Sequence, residues 1–99
     1  MVSKIIDLSS FVGYEGKTIT VNEPTVDDMI YITDIMIDES NGKPNVYKLF
    51  RLMINRLAVD APFKTDMKTL GAIEAKLLLY VGNKISNDLI PLEMRKELI

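Results

Sequence analysis

The chain has no histidine and no cysteine. That excludes every histidine general base, Ser-His-Asp triad and Cys-His dyad, and with them His or Cys metal sites, iron–sulfur clusters and disulfides. Catalysis is left to carboxylates, lysines, tyrosines and hydroxyls, and their spacing assembles no nucleophile–base pair, so an enzyme is not expected. Long apolar runs are missing as well. The longest, around Met29–Ile37 and Leu77–Val81, fall far short of the ~20 residues that cross a bilayer, so no membrane association is expected. Met1–Asp7 has no basic region followed by an apolar run and does not read as a signal peptide. A cytoplasmic protein is the default expectation.

Concentrated positive charge is also lacking. Twelve Lys and Arg stand against fourteen Asp and Glu, a net charge of −2, with a pI near 5.0. Nucleic-acid binders carry basic patches that displace counterions from phosphate. Here the densest basic group, Lys48, Arg51 and Arg56, lies in a helical pattern that needs a solvated face, so no nucleic-acid partner is expected. What is present is ordinary: 99 residues, 47% hydrophobic and 26% charged, the balance of one globular domain over 1–99 with a modest core.

Residues 4–21 read as extended. Lys17–Val21 alternates polar and apolar residues with β-branching, a strand pattern. Ile5, Ile6 and Leu8, then Phe11 and Val12, suggest an earlier strand or two, and Gly13-Tyr14-Glu15-Gly16 supplies turn chemistry. Asn22-Glu23-Pro24-Thr25 stops the strand and starts a helix, with Thr25 as N-cap and Asp28 in a capping-box position. This first helix is expected over Val26–Asp38. Val26, Met29, Ile30, Ile32, Thr33, Met36 and Ile37 form one wide arc, Asp27, Asp34 and Asp38 line the opposite flank, and Tyr31 and Ile35 fall outside the arc.

A loop over 39–45 leads to a second helix, about Val46–Ala58, with Asn45 as N-cap. Val46, Leu49, Phe50, Met53, Ile54 and Leu57 give the cleanest helical repeat in the chain. Lys48, Arg51 and Asn55 lie opposite, and Leu52 sits alone between the two faces. Val59–Lys64 reads as a connector. A third helix is expected to start between Thr65 and Thr69 and run to about Ser86, with Leu70, Ile73, Leu77, Leu78, Val81 and Ile85 on its apolar face. Glu74 projects into that face near the helix start, and Gly71 and Gly82 point to close packing or a frayed end. Pro91 can open a short last helix. The expected architecture is α+β, mainly α, with an N-terminal β-hairpin packed on a bundle of three to four helices. The hairpin region spans 1–23, the helical core 24–90 and a short C-terminal helix or tail 91–99. The expected core is Ile19, Val21, Val26, Ile30, Met36, Leu49, Phe50, Met53, Leu57, Ile73, Leu77 and Val81.

Several patterns carry possible chemistry. Gly16-Lys17-Thr18 matches the end of a phosphate-binding loop, but the glycines are only three apart and Thr18 begins a strand, so a hairpin turn is the better reading. The acidic residues Asp27, Asp28, Asp34, Asp38 and Glu39 read as a solvated flank, because no further oxygen ligands converge on them. Asp38–Lys43 lacks the glutamate that would complete a calcium loop. Met29, Met36 and Met53 fit a core better than an adaptable binding surface. No cofactor or metal is expected. Tyr31, Ile35 and Leu52, each off its helix's core arc, are the candidate partner-binding residues, since three off-arc apolar side chains on consecutive helices can form a patch.

The segment Gly16-Lys17-Thr18-Ile19-Thr20-Val21-Asn22-Glu23-Pro24-Thr25-Val26-Asp27-Asp28 resembles the start of the phage tail assembly chaperones. In these small, often acidic proteins of long-tailed bacteriophages, a short strand precedes a Pro-Thr-Val-like helix start and then helices. The resemblance implies a non-enzymatic chaperone that is absent from the finished virion. Such a chaperone covers the helical tape measure protein and aids recruitment of the tail tube protein. It further implies, in many such phages, a frameshifted form with a longer C-terminus. It transfers no site residue beyond this strand–helix start. A homo-oligomer is expected as well. Rival readings are a virion structural subunit of the tail completion or connector type, and a small regulatory adaptor.

Overall fold

Strands β1 (Ser3–Asp7) and β2 (Thr18–Asn22) form the expected hairpin, antiparallel, with Ile6 opposite Ile19 and Lys4 opposite Val21. The computed structural model describes residues 3–40 and 45–90, without the side chains of 36–40. Side chains alternate across a strand. Ile6, Ile19 and Val21 therefore face the core and are buried, while Ile5 turns to solvent. Leu8–Lys17 contains no further strand. Phe11 and Val12, read from the sequence as extended, lie in consecutive tight turns: the Phe11 N–H donates to Leu8, the Tyr14 N–H to Phe11 and the Lys17 N–H to Tyr14. Gly13 and Gly16 hold φ of 90° and 73°, the left-handed region that glycine enters without steric cost. The loop folds back on the body of the protein, with Phe11 edge-on to Tyr80 of the last described helix at 5.3 Å and Tyr14 edge-on to Phe63, in the segment before the last two described helices, at 6.2 Å.

A third strand corrects the expected connector. Strand β3 (Ala58–Asp60) pairs antiparallel with β2, giving the order β1-β2-β3. Three residues are too few to show an alternating pattern, and it is the free edge of β2 that calls them into the sheet. Val21 faces Ala58 and Thr20 faces Asp60, so Val59 is the extra residue of a bulge and stands in solvent.

Helix α1 (Val26–Ser40) begins at the capping box. The Thr25 N–H donates to Asp28 Oδ2 at 2.9 Å, and the Asp28 N–H donates to Thr25 Oγ1 at 3.2 Å. Helix α2 (Val46–Leu57) begins at Asn45, whose Oδ1 accepts from the N–H groups of Tyr47 and Lys48. Its predicted apolar face is buried from Leu49 to Leu57, with Val46 half-buried, and it packs against α1, the sheet and the helices that follow.

The single third helix of the sequence reading is two. Helix α3 (Met67–Leu70) is one turn, and α4 (Ala75–Leu89) follows after a break. The Asp66 carboxylate caps α3 by accepting from the Thr69 N–H and Oγ1, and the Gly71 N–H closes it onto the Met67 carbonyl. Arg51 donates through Nε to that same carbonyl at 2.7 Å and through Nη2 as well, and Asn55 Nδ2 donates to the Thr65 carbonyl at 2.8 Å. The polar row of α2 thus pins residues 65–70 beside it. These tertiary bonds compensate the break in a helical pattern that looks continuous in sequence. Glu74 does not enter the apolar face as expected. It is exposed at the start of α4, where its carbonyl accepts from the Leu78 N–H.

Gly82 is a point of closest approach. An added Cβ there would lie 2.1 Å from Phe50 Cγ, so α4 seats on α2 only because position 82 has no side chain. The buried cluster holds the expected Ile19, Val21, Leu49, Phe50, Met53, Leu57, Leu77 and Val81, with Ile73 half-buried against it. Two expected core residues, Val26 and Ile30, are exposed instead. The Met36 side chain, the 91–99 tail and the 41–43 half of the rejected calcium loop lie outside the described residues.

Candidate protein interface

Helix α1 decides which apolar side chains are left in solvent. Its sequence is apolar over most of its circumference, so periodicity alone supports more than one burial direction. The observed inner face holds Met29 and Ile32, buried, with Asp28, Thr33 and Ile35 half-buried beside them. At ~100° per residue, this face is turned by about a quarter of the circumference from the predicted arc. Val26 and Ile30, one turn apart, consequently stand 76% and 52% exposed.

An ion pair with α2 accompanies the burial of Met29 and Ile32. The Asp28 carboxylate accepts from Arg56 Nε at 2.7 Å while it also caps the helix start, and the Arg56 guanidinium lies 4.5 Å from the centre of the Tyr31 ring. The row Asp28–Tyr31–Ile35 therefore faces α2. Leu52 lies one turn before Arg56, on the side of α2 turned to α1, and is only 4% exposed.

The structure thus gathers the three candidate residues Tyr31, Ile35 and Leu52 along the α1–α2 contact, and in doing so removes two of them from the surface. Leu52 is core and Ile35 packs against the core; Tyr31 alone keeps substantial exposure, at 39%. The patch expected from them is corrected accordingly. Four further large hydrophobic side chains join Val26 and Ile30 in solvent: Ile5 and Val59 on the sheet, Val12 at the tip of the hairpin loop, and Tyr47 in the first turn of α2. Ile5 follows from the alternation of β1. Val26 and Ile30 carry no sequence signal that separates them from core, because they share an arc with Met29.

The remaining sequence motifs resolve into structure. Of the basic group, Arg51 is bound to Met67 and Arg56 to Asp28. Lys17 and Thr18 of the phosphate-loop fragment lead from the hairpin turn into β2. Among the described residues no cluster of three or more acidic side chains is placed to hold a metal ion. Met29 and Met53 are buried in the core. A hollow of about 230 Å³ between the starts of α2 and α4 is lined by Tyr47, Lys48, Arg51, Leu70, Ile73 and Leu78 among others. No helix among the described residues is long and apolar enough to cross a membrane.

Three aspartates have carboxyls held below their ordinary range, each by local hydrogen bonds. Asp28 is held down first by the Thr25 N–H and then by Arg56, against partial desolvation. Asp66 accepts from the Thr69 N–H and hydroxyl. Asp7 accepts from the Ser9 hydroxyl and N–H. All three lock turns or helix starts.

Comparison with protein-family models, curated proteins and solved structures finds no match to this chain.

Proposed function

We propose that this chain is a non-enzymatic protein-binding module of bacteriophage tail assembly. In this reading it works in the host cytoplasm as a self-associating chaperone that covers the tape measure protein and aids recruitment of tail tube subunits. The observation that carries the binding role is the exposure of Val26 and Ile30 on consecutive turns of α1. Branched aliphatic side chains in solvent at i, i+4 spacing are the helical half of a helix-on-helix contact. The assignment to tail assembly rests on the likeness of residues 16–28 to the family, a segment that forms β2, the capping box and the exposed Val26.

The test is co-expression with the products of the genes flanking its own, followed by affinity pull-down with wild type and with a Val26→Asp/Ile30→Asp variant. Recovery of a long helical protein by wild type, lost in a variant of unchanged helix content, supports the reading. Retention of the chain in purified particles makes it a virion subunit instead, and flanking genes unrelated to tails overturn the tail-assembly assignment.

A further inference from the structure

We infer that the outer face of α1 takes a partner helix whose apolar stripe is flanked by lysine or arginine. This rests on the binding role just proposed and adds the partner's chemistry. Between Asn22 and Ser40 the chain has six acidic residues and no lysine or arginine, although the whole protein carries only −2. The charge imbalance is thus concentrated on the helix that also bears the exposed aliphatic row. Asp27 and Asp34, two turns apart, lie along one margin of the Val26–Ile30 row, and both are exposed. Among the described residues neither forms an ion pair. The neighbouring Asp28 is turned inward to Arg56. The other margin carries Thr33, whose hydroxyl donates back to the Met29 and Ile30 carbonyls.

A helix laid along Val26 and Ile30 therefore meets a carboxylate rail on one side. A cationic flank gains charge pairing there, and an acidic flank is repelled. The same argument disfavours an antiparallel second copy of this face, which would set one Asp27–Asp34 rail against another.

The experiment uses the full chain and four labelled 18-residue synthetic helical peptides read by fluorescence anisotropy. Three carry a leucine row flanked by Lys, Gln or Glu, and the fourth has the Lys composition scrambled to break the row. The Lys-flanked peptide is expected to bind about 3- to 10-fold tighter than the Gln-flanked one. That margin should shrink on raising salt from low to physiological ionic strength, and in Asp27→Asn/Asp34→Asn. Val26→Ser/Ile30→Ser, both at exposed sites, should abolish binding of the Lys and Gln peptides alike.

Equal binding of the Lys, Gln and Glu peptides overturns the charge inference while leaving the apolar docking role standing. Equal binding of the scrambled peptide, or full binding by Val26→Ser/Ile30→Ser, shows that the aliphatic row is not the site. Binding of none of the peptides overturns both readings. A dimer in sedimentation that Val26→Ser/Ile30→Ser dissociates assigns the face to a second copy and overturns the inference.

Discussion

Replacing Gly82 by alanine separates two physical effects that predict opposite signs. Helix propensity alone favours alanine by about 1 kcal/mol at an interior helical position. Tertiary packing opposes it. The new Cβ would stand 2.1 Å from Phe50 Cγ, 2.3 Å from Cδ2 and 2.7 Å from Cβ. Carbon atoms in contact sit about 3.5–4.0 Å apart, so the separation at this point must grow by roughly 1.4 Å. Phe50 cannot swing clear, because the clashing atoms lie at the root of its side chain and it is 1% exposed. The helices must part instead, and overpacking of this kind costs about 1–3 kcal/mol. With the propensity gain set against the upper part of that range, the variant should lose about 1–2 kcal/mol. For a domain of this size that is a fall in Tm of roughly 5–15 °C.

Urea and thermal unfolding followed by far-ultraviolet circular dichroism measure the loss. Phe50→Ala, which removes the clashing Cγ and Cδ2, should cost less in the Gly82→Ala background than in wild type, so that the double variant is more stable than the two single losses summed. A Gly82→Ala protein as stable as wild type, or more so, would refute the reasoning.

Two further predictions follow from the α1–α2 contact. Leu52→Asp should unfold the protein or lower its stability by more than about 3 kcal/mol, because it buries a charge without a partner, whereas Ile30→Asp, at an exposed site, should change stability by less than about 1 kcal/mol; chemical denaturation of both variants checks the contrast, and equal losses would show that the rotation of α1 is misplaced. Asp28 titrates lower in the folded chain than its unfolded value near 4, so the stability it adds is complete above that value and drains away as pH falls through the lower folded one. Asp7 and Asp66 act in the same direction. Wild type should thus lose urea resistance as pH falls below about 4, with a shallower loss in Asp28→Asn, and an identical acid limb in the two proteins would remove Asp28 from the account.

Where local chemistry acts within a few residues, the amino-acid order by itself determined the outcome. The Thr25–Asp28 box and the Asn45 cap form because their side chains reach N–H groups two or three residues on. The loop glycines adopt positive φ as turn residues do. Helix α2 presents its apolar face as its repeat requires, since polar residues leave it one direction to bury. Tertiary structure decided the rest, wherever the local pattern was degenerate or too short. Helix α1 is apolar on most sides, and its packing on the core, with Met29 and Ile32 buried and the Arg56–Asp28 pair and Tyr31 stack at the α2 contact, decided which side is inside. That choice exposed Val26 and Ile30 and buried Leu52, so the binding face could not be read from periodicity. Strand β3 exists because β2 offers an edge, and the break before α4 is held by Arg51 and Asn55 from another helix. A periodic sequence specifies that a face is greasy; only the neighbouring helix specifies whether that face meets protein or water.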